Sequence, residues 1–121
     1  MSVRSSQDST AFSTPAVTTQ ASASLAAPGA TQRWICTVIS VTLSAVVAQP
    51  LITLNLRNDV SGAGTIIWSK QVILPAGGVW EVNLSELNIP GAYGKAMTLE
   101  FSGAPAATNL EAVALDGYLS A

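Results

Sequence analysis

From Arg33 to Leu119 the apolar side chains return at every second residue, and clusters of Gly, Pro, Asn and Asp cut the pattern into short runs. That period puts alternate residues on opposite faces of an extended chain, so each run reads as a strand with one covered face. Ile39, Val41, Leu43, Ala45 and Val47 share odd positions, and Ile52, Leu54 and Leu56 alternate with Thr53 and Asn55. Ile66, Trp68, Val72 and Leu74 follow, then Trp80, Val82 and Leu84, then Met97, Leu99 and Phe101, and finally Val113 and Leu115 with Leu119. No segment longer than ten residues keeps the i, i+3, i+4, i+7 spacing of an amphipathic helix without a Gly or Pro. The pattern predicts an all-β, antiparallel β-sandwich, jelly-roll-like, over residues 25–121.

The turns follow from residue chemistry. Asn58 to Gly64 supplies side chains that tolerate positive φ, and Pro75-Ala76-Gly77-Gly78 ends the next run. Ser85 to Lys95, with Pro90, Gly91 and Gly94, reads as a crossing from one sheet to the other. Gly117 marks an expected bulge in the last strand. Residues 1–24 are rich in Ser, Thr, Ala and Gln and poor in bulky apolar groups. They are expected to form an extended, flexible N-terminal arm, either a disordered tail with no task or an arm that orders only against a partner, with a weak strand open to Ala16–Leu25 through Val17, Ala21, Ala23 and Leu25.

Charge is scarce. Only 10% of the residues are Asp, Glu, Lys or Arg, against about 25% in an ordinary soluble domain, and the net charge is −2. Nucleic-acid binding is excluded on that balance, because it needs a basic excess. Trp34 to Leu56 holds no Asp, Glu, Lys or Arg and has the length of a membrane span. Its interspersed Thr, Ser, Gln and Asn, its β-branched content and Pro50 instead predict two strands broken at Gln49-Pro50, and no membrane. The first ten residues carry Arg4 without an apolar run behind it, unlike a conventional signal peptide.

The chain has no His and a single Cys, Cys36. Ser-His-Asp and Cys-His arrangements and multi-thiolate metal sites are therefore beyond this sequence alone. Asp59, Glu81, Glu86, Glu100, Glu111 and Asp116 could supply a glycosidase pair, but Glu81 and Glu100 fall on the polar faces of their strands, where a solvated charge is expected. Asn58-Asp59 lacks calcium-loop spacing and reads as a turn. Asn83-Leu84-Ser85 matches the glycosylation sequon, which means little without secretion. Gly91 to Lys95 lacks the context of a phosphate loop. No catalytic residue, cofactor or metal is expected, and the chain reads as no enzyme.

Trp68 and Trp80 fall in register with core positions, whereas Trp34 stands opposite Ile35 and Ile39 and is expected at an interface. Cys36 shares that face and is expected to be an inert buried thiol. Arg33, Tyr93 and Phe12 complete the candidate interface residues.

Several short stretches together resemble small β-rich structural proteins of tailed bacteriophage virions. They are Ala27-Pro28-Gly29-Ala30 with Gln32-Arg33, Ser44-Ala45, Ile66-Ile67-Trp68, Pro90 to Ala96, and Leu115-Asp116-Gly117-Tyr118. The resemblance covers residues 26–119. It implies a capsid cement (decoration) protein that stabilises the head lattice as a homotrimer, with the major capsid protein as partner, made in the host cytoplasm and ending on the virion surface. A tail- or fibre-associated protein and a carbohydrate-binding sandwich, stacking sugar on Trp34 or Tyr93, are the alternatives.

Overall fold

A computed structural model describes residues 9–121. The strands are β1 (Ser9–Phe12), β2 (Ala16–Val17), β3 (Ser22–Leu25), β4 (Arg33–Ser44), β5 (Gln49–Arg57), β6 (Ile66–Leu74), β7 (Val79–Leu84), β8 (Ile89–Pro90), β9 (Met97–Phe101) and β10 (Leu110–Ser120). Sheet A runs β1-β10-β4-β7, with β2 extending the β1 edge and β8 the β7 edge; sheet B runs β3-β9-β5-β6. Every pairing is antiparallel.

Without the two-residue β2 and β8, eight strands remain, ordered 1-8-3-6 in one sheet and 2-7-4-5 in the other. That is the doubly wound order of a jelly roll, so the expected fold class holds. The inner faces close on Ile39, Leu43, Leu54, Leu56, Leu99, Phe101 and Leu115, all fully buried. Each such side chain contributes about 1.5–3 kcal/mol on leaving water. Trp80 meets the Phe101 ring edge-on, with centroids 6.5 Å apart. As the alternation requires, Trp80 and Trp68 both pack against this core.

The long uncharged run is two strands, as expected, but it breaks one turn earlier. β4 ends at Ser44, residues 45–48 form the connection, and Gln49-Pro50 opens β5. Pro50 is tolerated there because it lies at the start of its strand, in a stretch where the pairing with β6 is irregular. Among the described residues no helix is long and apolar enough to cross a membrane.

Trp34 corrects the sequence reading. The pairing of β10 with β4 slips between Asp116 and Gly117: Asp116 faces Val38 while Gly117 faces Cys36, leaving Thr37 as the extra residue. One inserted residue exchanges the two faces of a strand. Beyond Thr37 the even positions Trp34 and Cys36 therefore turn inward, and Trp34 is only 7% exposed, its indole N–H donating to the Ala26 carbonyl at 2.8 Å. Gly117 suits the slip, since a Cβ there would come within 2.9 Å of the Ile35 carbonyl oxygen.

Residues 9–24, expected as a flexible arm, are built into both sheets. β1 and β2 pair with β10, and β3 pairs with β9. Small side chains make this possible: Ala21, Ala23 and Leu25 fill the edge of the core, while Ser22 and Ser24 bond outward to Glu100 and Thr98. The first eight residues of the proposed arm lie outside the described residues.

Candidate docking surface

At one end of the sandwich four connections meet: residues 18–21, 45–48, 75–78 and 102–109. Residues 17–21, 45–52, 73–79 and 102–110 contain no Asp, Glu, Lys or Arg. The same end carries Val17, Val46, Val47, Leu51, Ile73 and Val79, which are 40–68% exposed and make up six of the ten exposed large hydrophobic residues described. Isolated surface apolar residues need no explanation, but a charge-free gathering of them does.

This end is shaped from beneath by two buried amides. Asn109 is fully buried; its Oδ1 accepts from the backbone N–H groups of Val46 at 2.7 Å and Val47 at 3.0 Å. Its Nδ2 donates to the Val47 carbonyl and to Gln49 Oε1, both at 3.1 Å. Gln49 Oε1 also accepts from Ala106 N–H at 2.9 Å, and the Asn109 carbonyl accepts from Thr18 N–H at 3.1 Å. Ala45 and the 77–78 backbone exchange a further pair of hydrogen bonds at 2.8 and 2.9 Å. All four connections are thus tied into one surface with their buried backbone groups paired. A shallow cleft of about 370 Å³ opens there between Pro50, Leu51 and Ala104-Pro105.

Charge is concentrated toward the other end. Arg33 lays its guanidinium 4.8 Å from the centre of the Tyr93 ring, and the Tyr93 hydroxyl donates to the Ala121 carbonyl at 3.3 Å. Two of the expected interface residues, Arg33 and Tyr93, therefore stand together, and Tyr93 is exposed. Phe12 stands apart from them on the outer face of sheet A. It is 74% exposed beside a groove of about 240 Å³ that Ser40, Thr42, Asn83 and Ala114 help to line. Trp34 joins neither group.

Glu100 also departs from expectation. Alternation places it on the outer face of sheet B, but the connection after β5 folds back over that face and leaves it 3% exposed. Its carboxylate accepts from Arg57 Nε at 3.0 Å, Gly62 N–H at 3.0 Å, Ser22 Oγ at 3.3 Å and Ser61 Oγ. Burial pushes its pKa up, but the bonds from Ser61, Gly62, Arg57 and Ser22 outweigh it and hold the carboxyl below its usual range. Asn58-Asp59 forms the expected turn, with Asn58 Oδ1 accepting from Thr65 N–H at 2.8 Å. Gly64, at φ +70°, lets the loop close where a Cβ would collide with Asn58 Oδ1. Among the described residues no three His, Cys, Asp or Glu side chains gather at one point.

Cys36 is fully buried, and burial pushes its thiol up to about 12. In the native protein it should resist a thiol reagent at pH 8 and react fully once unfolded in guanidinium. Rapid native labelling would contradict the burial.

No protein-family model matches the sequence, and neither does any curated protein. Among solved structures the chain is similar to one described as "CBM4 structure and function", at 15% identity over 89% of this chain and 70% of that one, with a TM-score of 0.47. It is similar also to one from "Bacillus endospore appendages form a novel family of disulfide-linked pili", at 12% identity over 92% and 85%, with a TM-score of 0.40.

Proposed function

We propose that this chain is a non-enzymatic structural protein of a tailed-phage virion, a decoration protein that acts as a homo-oligomer and docks its charge-free end on the lattice of the major capsid protein. The observation that carries this reading is the gathering of six exposed apolar residues on an end whose exposed side chains carry no charge. A surface of that kind loses little on desolvation, because it strands no buried charge. A decoration protein that binds only the assembled lattice stabilises it by mass action, and an oligomer adds effective concentration for its remaining subunits. The jelly roll accommodates such a role but does not select it, since lectins use the same architecture.

The test adds purified protein to capsids that lack it and follows binding and shell melting. Binding that raises the melting temperature, changes little between 50 and 500 mM salt, and is lost in the double variant V46D/L51D is the expected result. Both positions are exposed, so the variant should keep its fold, while a docked carboxylate would be buried unpaired. No binding, or full binding by the double variant, would overturn the proposal. Sedimentation showing a monomer at micromolar concentration would remove the oligomer from it.

A carbohydrate-binding reading is favoured only by Phe12, whose exposed ring stands beside the hydroxyl and amide groups of Ser40, Thr42 and Asn83. A glycan array without signal would eliminate it.

A further inference from the structure

We infer that the Glu111 carboxyl is a proton-controlled latch, which when protonated holds the segment crossing from sheet A to sheet B beneath the charge-free end and when ionised loosens it. Its link to docking rests on the function proposed above; the latch itself does not.

Glu111 lies on the inward face of β10, opposite Leu43 of β4 and in line with Val113 and Leu115. It is 1% exposed. Oε1 accepts from Ala21 N–H at 2.9 Å, whereas Oε2 is buried with no hydrogen-bond partner among the described residues. A carboxylate in that position would carry charge on an oxygen that no donor meets, whereas a carboxylic acid needs no counter-charge.

Among the described residues no titratable group on the surrounding elements relieves it. β1, β2 and β3 contain none, and Arg33 and Cys36 sit toward the far end of β4. Glu100, the only one on β9, is engaged on the outer face of sheet B, and Asp116 of β10 points out of sheet A. Burial therefore dominates and raises the Glu111 pKa to about 7, against the opposing hydrogen bond from Ala21.

Ala21 is the point at which Glu111 grips the connection. It precedes β3, an edge strand of four residues paired only with β9, and its carbonyl accepts from Phe101 N–H at 3.2 Å. Gln20 adds one side-chain bond to the Phe101 carbonyl. Ionisation strengthens the Ala21 bond but leaves Oε2 charged in an apolar core. Admitting water there requires the least rearrangement if residues 18–25 lift from the sandwich. Val17 and the 18–21 connection belong to the proposed docking end, so the proton on Glu111 also controls whether that surface is complete.

The experiment uses the isolated protein, so its failure is distinct from any failure of docking. Hydrogen exchange of the amides of residues 18–25, corrected for intrinsic base catalysis, is followed from pH 5.5 to 8.5 in wild type and Glu111→Gln. Gln is isosteric with the protonated acid and keeps an acceptor for Ala21. Wild type should lose protection in this segment as pH passes about 7, while the variant stays protected throughout. The carboxyl ¹³C titration of Glu111 should have its midpoint near the same pH.

Global stability adds a readout. An unfolded Glu ionises near pH 4.5, so between there and 7 the folded state binds more protons and stability falls as pH rises, levelling above 7. The folding equilibrium of wild type should drop relative to the variant by on the order of a hundredfold across that window. A titration midpoint in the ordinary carboxylate range, protection independent of pH, or the same loss of protection in Glu111→Gln would overturn the latch.

Discussion

Replacing Glu100 with Ala should cost about 3–5 kcal/mol, the range seen when one partner of a buried ion pair is removed. The carboxylate is the common acceptor for Arg57 Nε, Ser61 Oγ, Gly62 N–H and Ser22 Oγ. Arg57, 20% exposed along its side chain, would lose its only ion pair among the described residues. The consequence should be local as well as global. The 58–65 connection lies over the outer face of sheet B largely through Glu100, helped by the Thr98 hydroxyl bond to the Asp59 carbonyl at 2.8 Å. Urea denaturation should therefore show the loss in stability, and exchange of the Gly62 amide should accelerate beyond what that loss explains. Glu100→Gln, which keeps an acceptor but not the charge, should fall between. Because the folded pKa of Glu100 lies below its unfolded value, its contribution is full above the unfolded pKa and is lost as pH falls through the folded one. Wild type should thus lose stability in acid faster than Glu100→Ala. A cost under about 1 kcal/mol, the scale of an exposed pair, would show that the loop stands without this carboxylate.

The contrast between Glu100 and Phe101 shows what period two can reveal. Alternation assigned Phe101 to the core and Glu100 to the opposite face, and both assignments are geometrically right. What the pattern does not carry is whether a distant connection covers the outer face. Arg57 is forty-three residues from Glu100 in sequence, and their pairing follows from the register of β5 on β9, which places Arg57 opposite Thr98. The strand faces of β5, β7 and β9 were legible because each depends only on neighbours two residues away. Trp34 was misread because the extra residue at Thr37 has no signature in β4 itself; the signal was Gly117, on another strand.

The docking end was hidden for a related reason. Its four connections are spread from residue 17 to residue 110, and only the doubly wound topology brings them together. Low charge was visible from composition, but the segregation of the charge that exists was not. For residues 9–24 local composition favours a mobile arm, while tertiary pairing with β9 and β10 favours small residues such as Ala21 and Ala23 at a crowded edge. Asn109 and Gln49 carry no sign of their buried bonds in sequence, because the partners at Val46, Val47 and Ala106 are set by the topology.

Asn109 is where stability and docking should fail together. In Asn109→Ala the N–H groups of Val46 and Val47 lose their shared acceptor, and the Val47 carbonyl loses its donor. A backbone group left unpaired away from water costs about 1–3 kcal/mol, and these three are only partly buried, so with water recovering part of the loss a net cost of about 2–3 kcal/mol is expected. Asn109→Asp should be nearly as damaging despite its shape, because it keeps the two accepted bonds but turns a carboxylate oxygen toward Gln49 Oε1 and the Val47 carbonyl, where Asn places its NH₂. Asn109→Ala removes both acceptor bonds from the 45–48 connection and leaves it held by Ala45 alone, so capsid binding should weaken even at temperatures where the sandwich remains folded. The V46D/L51D protein separates the two effects, since it alters the exposed side chains while leaving Asn109 and its bonds in place. If Asn109→Ala melts like wild type, the amide is not what shapes this end. If it melts early yet binds capsids with undiminished affinity while folded, the docking surface lies elsewhere on the sandwich, and the exposed face around Phe12 becomes the next candidate.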